Sequence, residues 1–217
     1  MVTLEEGVFD LSDGSHLEVG TVDIAAGPTE TFTSVTFDQA FDDIPSILLQ
    51  LQTNNDTAWA VVRANNVSTT GFDLAIQEEQ ASDGIHGAEV VGWAAIDAQD
   101  TSGVIQWGDI AAQAYTTPEE VTDQRDTFTF DSTLGTNALV AGSITTYKGD
   151  DPVTLRLTNL TDDGVASTAE FLAQEERSLD SETKHVGEAV SGIAFESAGL
   201  LYSGTATTTF VDIFDIA

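Results

Sequence analysis

Apolar and polar residues alternate with a period of two along most of this chain. Thr31–Phe37 alternates Thr and Ser with Phe and Val, and Ile47, Leu49 and Leu51 share one face. That spacing is what a half-buried strand requires, because successive side chains point to opposite sides of a sheet. Gly, Asp and Asn punctuate the runs, as at Asn54-Asn55-Asp56 and Thr70-Gly71, where turns need residues that tolerate unusual backbone angles or bond their own backbone. The pattern predicts strands near 17–25, 31–39, 45–52, 57–65, 71–78 and 88–97. No stretch carries helical periodicity with caps. Short strands at this spacing predict an antiparallel β-sandwich.

The same pattern occurs twice. Thr33–Phe72 aligns with Asp126–Val165 without a gap: Thr36-Phe37-Asp38 meets Thr129-Phe130-Asp131, Arg63 meets Arg156, and Gly71 meets Gly164. Downstream, Gln77-Glu78-Glu79 recurs as Gln174-Glu175-Glu176. Asp83 has its counterpart in Asp180, His86 and Glu89 in His185 and Glu188. A longer loop is expected around Asp162–Thr168. The chain therefore reads as all-β, with two tandem six-stranded antiparallel sandwich modules. Residues 1–14 form an extension, 15–100 the first module and 101–198 the second. Residues 199–217 form a C-terminal strand or the start of a further repeat, since Tyr202-Ser203-Gly204-Thr205 echoes Val19-Gly20-Thr21.

Charge narrows the partners. Among 217 residues, 37 Asp and Glu face 6 Lys and Arg, for a formal net charge of −31. Nucleic-acid binding needs phosphates neutralised by Lys and Arg, which this chain lacks. No apolar run is long enough for a membrane helix, so membrane insertion is not expected. Self-repulsion at this charge needs salt or bound cations to screen it, which fits a saline or calcium-rich extracellular setting. No cysteine is present, so disulfides and thiol chemistry are out. Residues 1–20 are acidic and lack an apolar core, so a signal peptide is not expected there. The expected location is extracellular or at a cell surface, with a virion as the alternative.

The order Val35-Thr36-Phe37, Phe41, Pro45, Leu48–Leu51, Val62, Val67-Ser68, Thr70-Gly71-Phe72 and Gly92-Trp93-Ala94-Ala95-Ile96-Asp97 resembles the H-type lectin domain. The resemblance implies a six-stranded sandwich that assembles into trimers or hexamers and binds N-acetylgalactosamine at subunit edges. It spans nearly all of residues 20–97, and the second module joins it through the first. The chain departs from the family at its sugar-binding Arg, where Trp59 stands in the first module and Pro152 in the second. The family's ligand His falls near Gln80, and Arg63 matches a different family Arg. The Glu-Glu and His-x-x-Glu elements resemble a variant spread through large bacterial surface proteins and phage fibres.

Candidate binding residues follow from the repeat. Glu78, Glu79, Asp83, His86 and Glu89, with Glu175, Glu176, Asp180, His185 and Glu188, lie on the loop joining the last two strands. Four carboxylates, Glu78, Glu79, Asp83 and Glu89, could hold Ca²⁺ through oxygen. The same groups could accept from sugar hydroxyls, or could hold the turn by bonding its backbone. Arg63 and Arg156 could each form a bidentate pair with one of these carboxylates or meet a ligand. Trp93 reads as core, and Trp59 as the best sugar-stacking candidate. No catalytic constellation is visible, so an enzyme is not expected, and no cofactor is required. The leading expectation is a glycan-binding adhesion module acting by multivalent weak contacts. The alternative is a structural repeat of a filament, giant adhesin or virion fibre, whose strand Thr207–Ile216 pairs with homo-oligomer or filament neighbours.

Overall fold

A computed structural model describes residues 4–11, 13–27, 31–97, 104–107, 110–131, 134–198, 200–201 and 211–212. Every regular element in it is a strand. The first half holds β1 (Gly7–Asp10), β2 (His16–Ala26), β3 (Thr33–Thr36), β4 (Ser46–Leu51), β5 (Ala60–Ser68), β6 (Gly71–Glu78) and β7 (His86–Ile96). The second holds β8 (Val104–Trp107), β9 (Ile110–Thr116), β10 (Asp126–Thr129), β11 (Leu139–Ile144), β12 (Val153–Asp162), β13 (Ser167–Glu175) and β14 (Val190–Phe195). Two short strands, β15 (Leu200–Leu201) and β16 (Val211–Asp212), pair with each other. The rest of Thr207–Ile216, and the Tyr202–Thr205 echo, lie outside the described residues.

The halves share one topology. In the first, a four-stranded sheet ordered β1-β2-β7-β4 faces a three-stranded sheet ordered β3-β6-β5. In the second, β8-β9-β14-β11 faces β10-β13-β12, the same order seven strands on. All pairings are antiparallel. Each half has one strand more than the six expected. The addition is β1 in the first half, where Gly7–Asp10 pairs with Val19–His16 of β2, and β8 in the second. The longer hairpin loop of the second half spans residues 163–166, beyond the Asp162–Ser167 pair.

Alternation places the core. In the first half Ile24, Ile47, Val91, Trp93 and Ala95 of one sheet meet Val35, Ala64, Phe72, Leu74 and Ile76 of the other. Tyr115, Val121, Phe130, Ile144, Phe171 and Val190 do the same in the second. A third cluster joins the halves: Leu17, Ala94 and Ile96 pack with Ile105, Ile110, Ala112, Ile193 and Phe195. Near its C-terminal end β7 is buried on both faces, with Val91, Trp93 and Ala95 in the core of its own sandwich and Ala94 and Ile96 in the cluster between the halves. Burying each large aliphatic chain here contributes about 1.5–3 kcal/mol.

Edge strand β4 closes the seam. Ile47 N donates to the Ser191 hydroxyl at 2.9 Å and Leu49 N to the Ser143 hydroxyl at 2.8 Å. The Ser46 hydroxyl donates to Tyr115 O at 2.9 Å. An exposed sheet edge is a liability, and hydroxyls from the second half cap this one.

Candidate functional site

The repeated His and Glu residues build two matching buried sites, one per half. In the first, Glu78 ends β6 while His86 and Glu89 stand near the start of β7. The imidazole lies between two carboxylates, with Nδ1 3.3 Å from Glu78 Oε1 and Nε2 3.3 Å from Glu89 Oε1. Glu89 Oε1 accepts from Asn55 N at 2.7 Å and Asp56 N at 3.0 Å, and the Thr53 hydroxyl donates to Oε2. The Thr53 hydroxyl, then the Asp56 and Asn55 amides, hold the Glu89 carboxyl below its ordinary value against the opposing effect of burial.

The second site repeats this. His185 Nδ1 lies 2.8 Å from Glu175 Oε1, and Nε2 lies 3.1 Å from Glu188 Oε1. Glu188 Oε1 accepts from Lys148 N and Gly149 N, both at 2.9 Å, and the Thr146 hydroxyl donates to Oε2 at 2.5 Å. Thr146 and Gly149 stand where the first half has Thr53 and Asp56.

A cation from the other half enters the second site. Arg63 of the first half crosses the seam into the second site. Its Nη2 donates to Glu188 Oε1 at 2.5 Å and to Thr146 O at 3.1 Å; its Nη1 donates to Gly149 O at 2.9 Å and Gln77 Oε1 at 3.0 Å. The guanidinium carbon sits 4.1 Å from the centre of the Tyr147 ring, a cation–π contact. Both Arg63 and Glu188 are 0% exposed. Burial pushes Glu188 up, but His185, Arg63 and Thr146 outweigh it and bring its carboxyl down to about 2. Burial opposes the His185 imidazolium too, yet the bonds to Glu188 and Glu175 raise its pKa above the ordinary value.

The remaining expected residues are spread over the loop ends. Arg156, the counterpart of Arg63, is exposed and donates through Nε to Gln174 Oε1 at 2.9 Å. Asp83 and Asp180 are exposed and cap turns, accepting from Ile85 N at 3.0 Å and Glu182 N at 2.8 Å. Glu176 spans the seam by accepting from Gln80 N at 2.7 Å. Glu79 is half-buried, and its N–H donates to Trp59 O at 2.9 Å. Trp59 itself is 41% exposed, whereas Trp93 lies in the core at 8%. The acidic group that converges is not Glu78, Glu79, Asp83 and Glu89 but Asp56, Glu78 and His86, whose ligand atoms lie within 4.8 Å of one another and could hold a metal ion.

Sequence reasoning passed over Asp56, Thr53, Thr146, Gly149, Gln77 and Tyr147. A signal existed for three of them: Thr53 and Thr146 fall opposite each other in the gapless alignment, and Gln77 opens the Gln-Glu-Glu repeat.

Comparison with known proteins agrees with this architecture. Residues 32–96 match the family model of the H-type lectin domain. Over 200 residues, 91% of the chain, the sequence is 27% identical to halomucin from Haloquadratum walsbyi (strain DSM 16790 / HBSQ001). The matched stretch is 2% of that protein's length. No solved structure matches the chain significantly.

Proposed function

We propose that this protein is a carbohydrate-binding module of an extracellular or cell-surface protein, acting by binding rather than catalysis. The lectin-domain match carries this reading. The similarity to halomucin and the net charge of −31 support an extracellular, high-salt setting.

The glycan face runs along the seam at the loop ends. Trp59 offers an exposed apolar ring for stacking on a sugar face, as a lectin site needs. Glu79 and Gln80 lie beside it, and Asp83 is exposed on the same loop. These groups supply acceptors and a donor for sugar hydroxyls. Glu78, His86, Glu89, Glu175, His185, Glu188 and Arg63 are buried and occupied with one another, so they support the face from beneath. On a glycan array, the wild-type protein should retain at least one glycan class, and Trp59→Ala should lose it without losing stability. Equal binding by wild type and variant would remove Trp59 from the site, and no binding by either would remove the reading.

One observation favours a second reading, a repeat that assembles by its edges. Strand β11 is the counterpart of β4, and among the described residues it ends its sheet with no strand paired to its outer edge. Its residues 139–142 are half-buried, against 0% exposure for Ile47. It borders a groove of about 940 Å³ lined also by Gly20, Trp93 and Leu157. A second copy of the chain, adding its edge here, would use the chemistry that holds β4. In sedimentation experiments, wild type should then self-associate, and Val140→Pro, which removes an outward N–H, should not. A wild type that stays monomeric at all concentrations rules this out.

A further inference from the structure

We infer that the first of the two matching sites binds a divalent transition-metal ion through Asp56, Glu78 and His86. The second site shows what the shared arrangement is for. There Glu188 Oε1 and the carbonyls of Thr146 and Gly149 hold a cation, the Arg63 guanidinium, with Nη2 at 2.5 Å from Glu188. In the first site the Thr, the His and both Glu are retained with the same bonds. Among the described residues, however, no Lys or Arg pairs with it.

One replacement in the cradle runs in the direction a metal requires. Gly149 of the second site becomes Asp56 in the first. The glycine is needed where it stands, because a Cβ there would lie 2.5 Å from the His185 ring. Asp56 instead adds a carboxylate, anchored by Gly87 N at 2.9 Å and Ala58 N at 3.2 Å. So the first site has lost a positive group and gained a negative one. Three carboxylates, Asp56, Glu78 and Glu89, surround one imidazole, and Glu78, His86 and Glu89 are all more than nine-tenths buried. Buried charge of one sign requires a partner. A divalent ion bound by Asp56, Glu78 and His86 supplies it, with Glu89 oriented behind His86 as an outer partner. The imidazole favours an ion such as Zn²⁺ over Ca²⁺, which takes oxygen ligands.

The full chain, stripped with chelator, should be titrated calorimetrically with Zn²⁺ and separately with Ca²⁺. The expected result is one Zn²⁺ per chain at a tight site, with the His86 ring resonances moving by NMR while those of His185 stay fixed. Asp56→Gly, which recreates the pattern of the second site, and Asp56→Asn, which keeps the turn, should both abolish the tight site. Asp180→Asn should leave it intact. Binding that survives both Asp56 variants, movement of His185 instead of His86, tighter Ca²⁺ than Zn²⁺, or no tight site would each overturn the assignment.

Discussion

Replacing Arg63 with Ala should lower the free energy of unfolding by about 3–5 kcal/mol, the cost of leaving a buried charge without its partner. Glu188 is 0% exposed and would keep only His185 as a counter-charge. Arg63→Lys should not restore the loss, because an ammonium cannot reach Glu188, Thr146 O and Gly149 O together as the planar fork does. Arg156→Ala, at the exposed counterpart, should stay within about 0.5 kcal/mol of wild type. The pH dependence carries a sign that urea unfolding can check. Glu188 is depressed from 4.5 to about 2, so its contribution is present above 4.5 and lost as pH falls towards 2. His185 is raised from 6.5, so its contribution is complete below 6.5 and lost as pH rises through the higher folded value. Stability should therefore peak between these limits, and Arg63→Ala should flatten the acid side. An unchanged unfolding free energy for Arg63→Ala would mean that the crossing contact contributes nothing.

The second large effect falls on Gly192. It pairs with Tyr115, and a Cβ added to it would lie 2.0 Å from Ala141 O, a backbone atom of β11. Strands β11 and β14 would have to part, so Gly192→Ala should cost about 3 kcal/mol, the upper range for overpacking. Gly20→Ala should cost less. The Cβ there meets the Trp93 ring at 2.6 Å, and a side chain can shift where a paired backbone cannot. Thermal unfolding of the two variants should rank them in that order, and the reverse ranking would contradict the packing described.

These two glycines show what the sequence hides. Gly20 pairs with Trp93 in the first half and Tyr115 with Gly192 in the second, so the aromatic ring has changed strands. Volume is conserved across the pair while neither position is, and a residue-by-residue alignment sees only two mismatches. Strand positions were legible because one face of each strand is buried and period two survives substitution, as at Ile47 and Leu49. The extra strand β1 was not, since Gly7-Val8-Phe9-Asp10 is short and follows the acidic pair Glu5-Glu6. At the site, His86, Glu89 and their counterparts were legible as a repeated motif. Their destination was not. Arg63 and Glu188 lie far apart in the chain and in different halves, and no local pattern encodes a contact across a seam. Asp56 escaped notice because it sits in an Asn-Asn-Asp turn, where acidic residues serve the backbone.

The central structural claim is that the two sandwiches form one unit, with β4 sealed onto the second half and Arg63 locked behind it. Hydrogen exchange at the Ile47 and Leu49 amides tests it most directly, because these N–H groups bond only to Ser191 and Ser143 across the seam. Both should exchange as slowly in the wild-type protein as amides of the central strand β7, and Arg63→Ala should speed them while β7 stays protected. Exchange of Ile47 and Leu49 at the rate of exposed amides in the wild type would contradict the account.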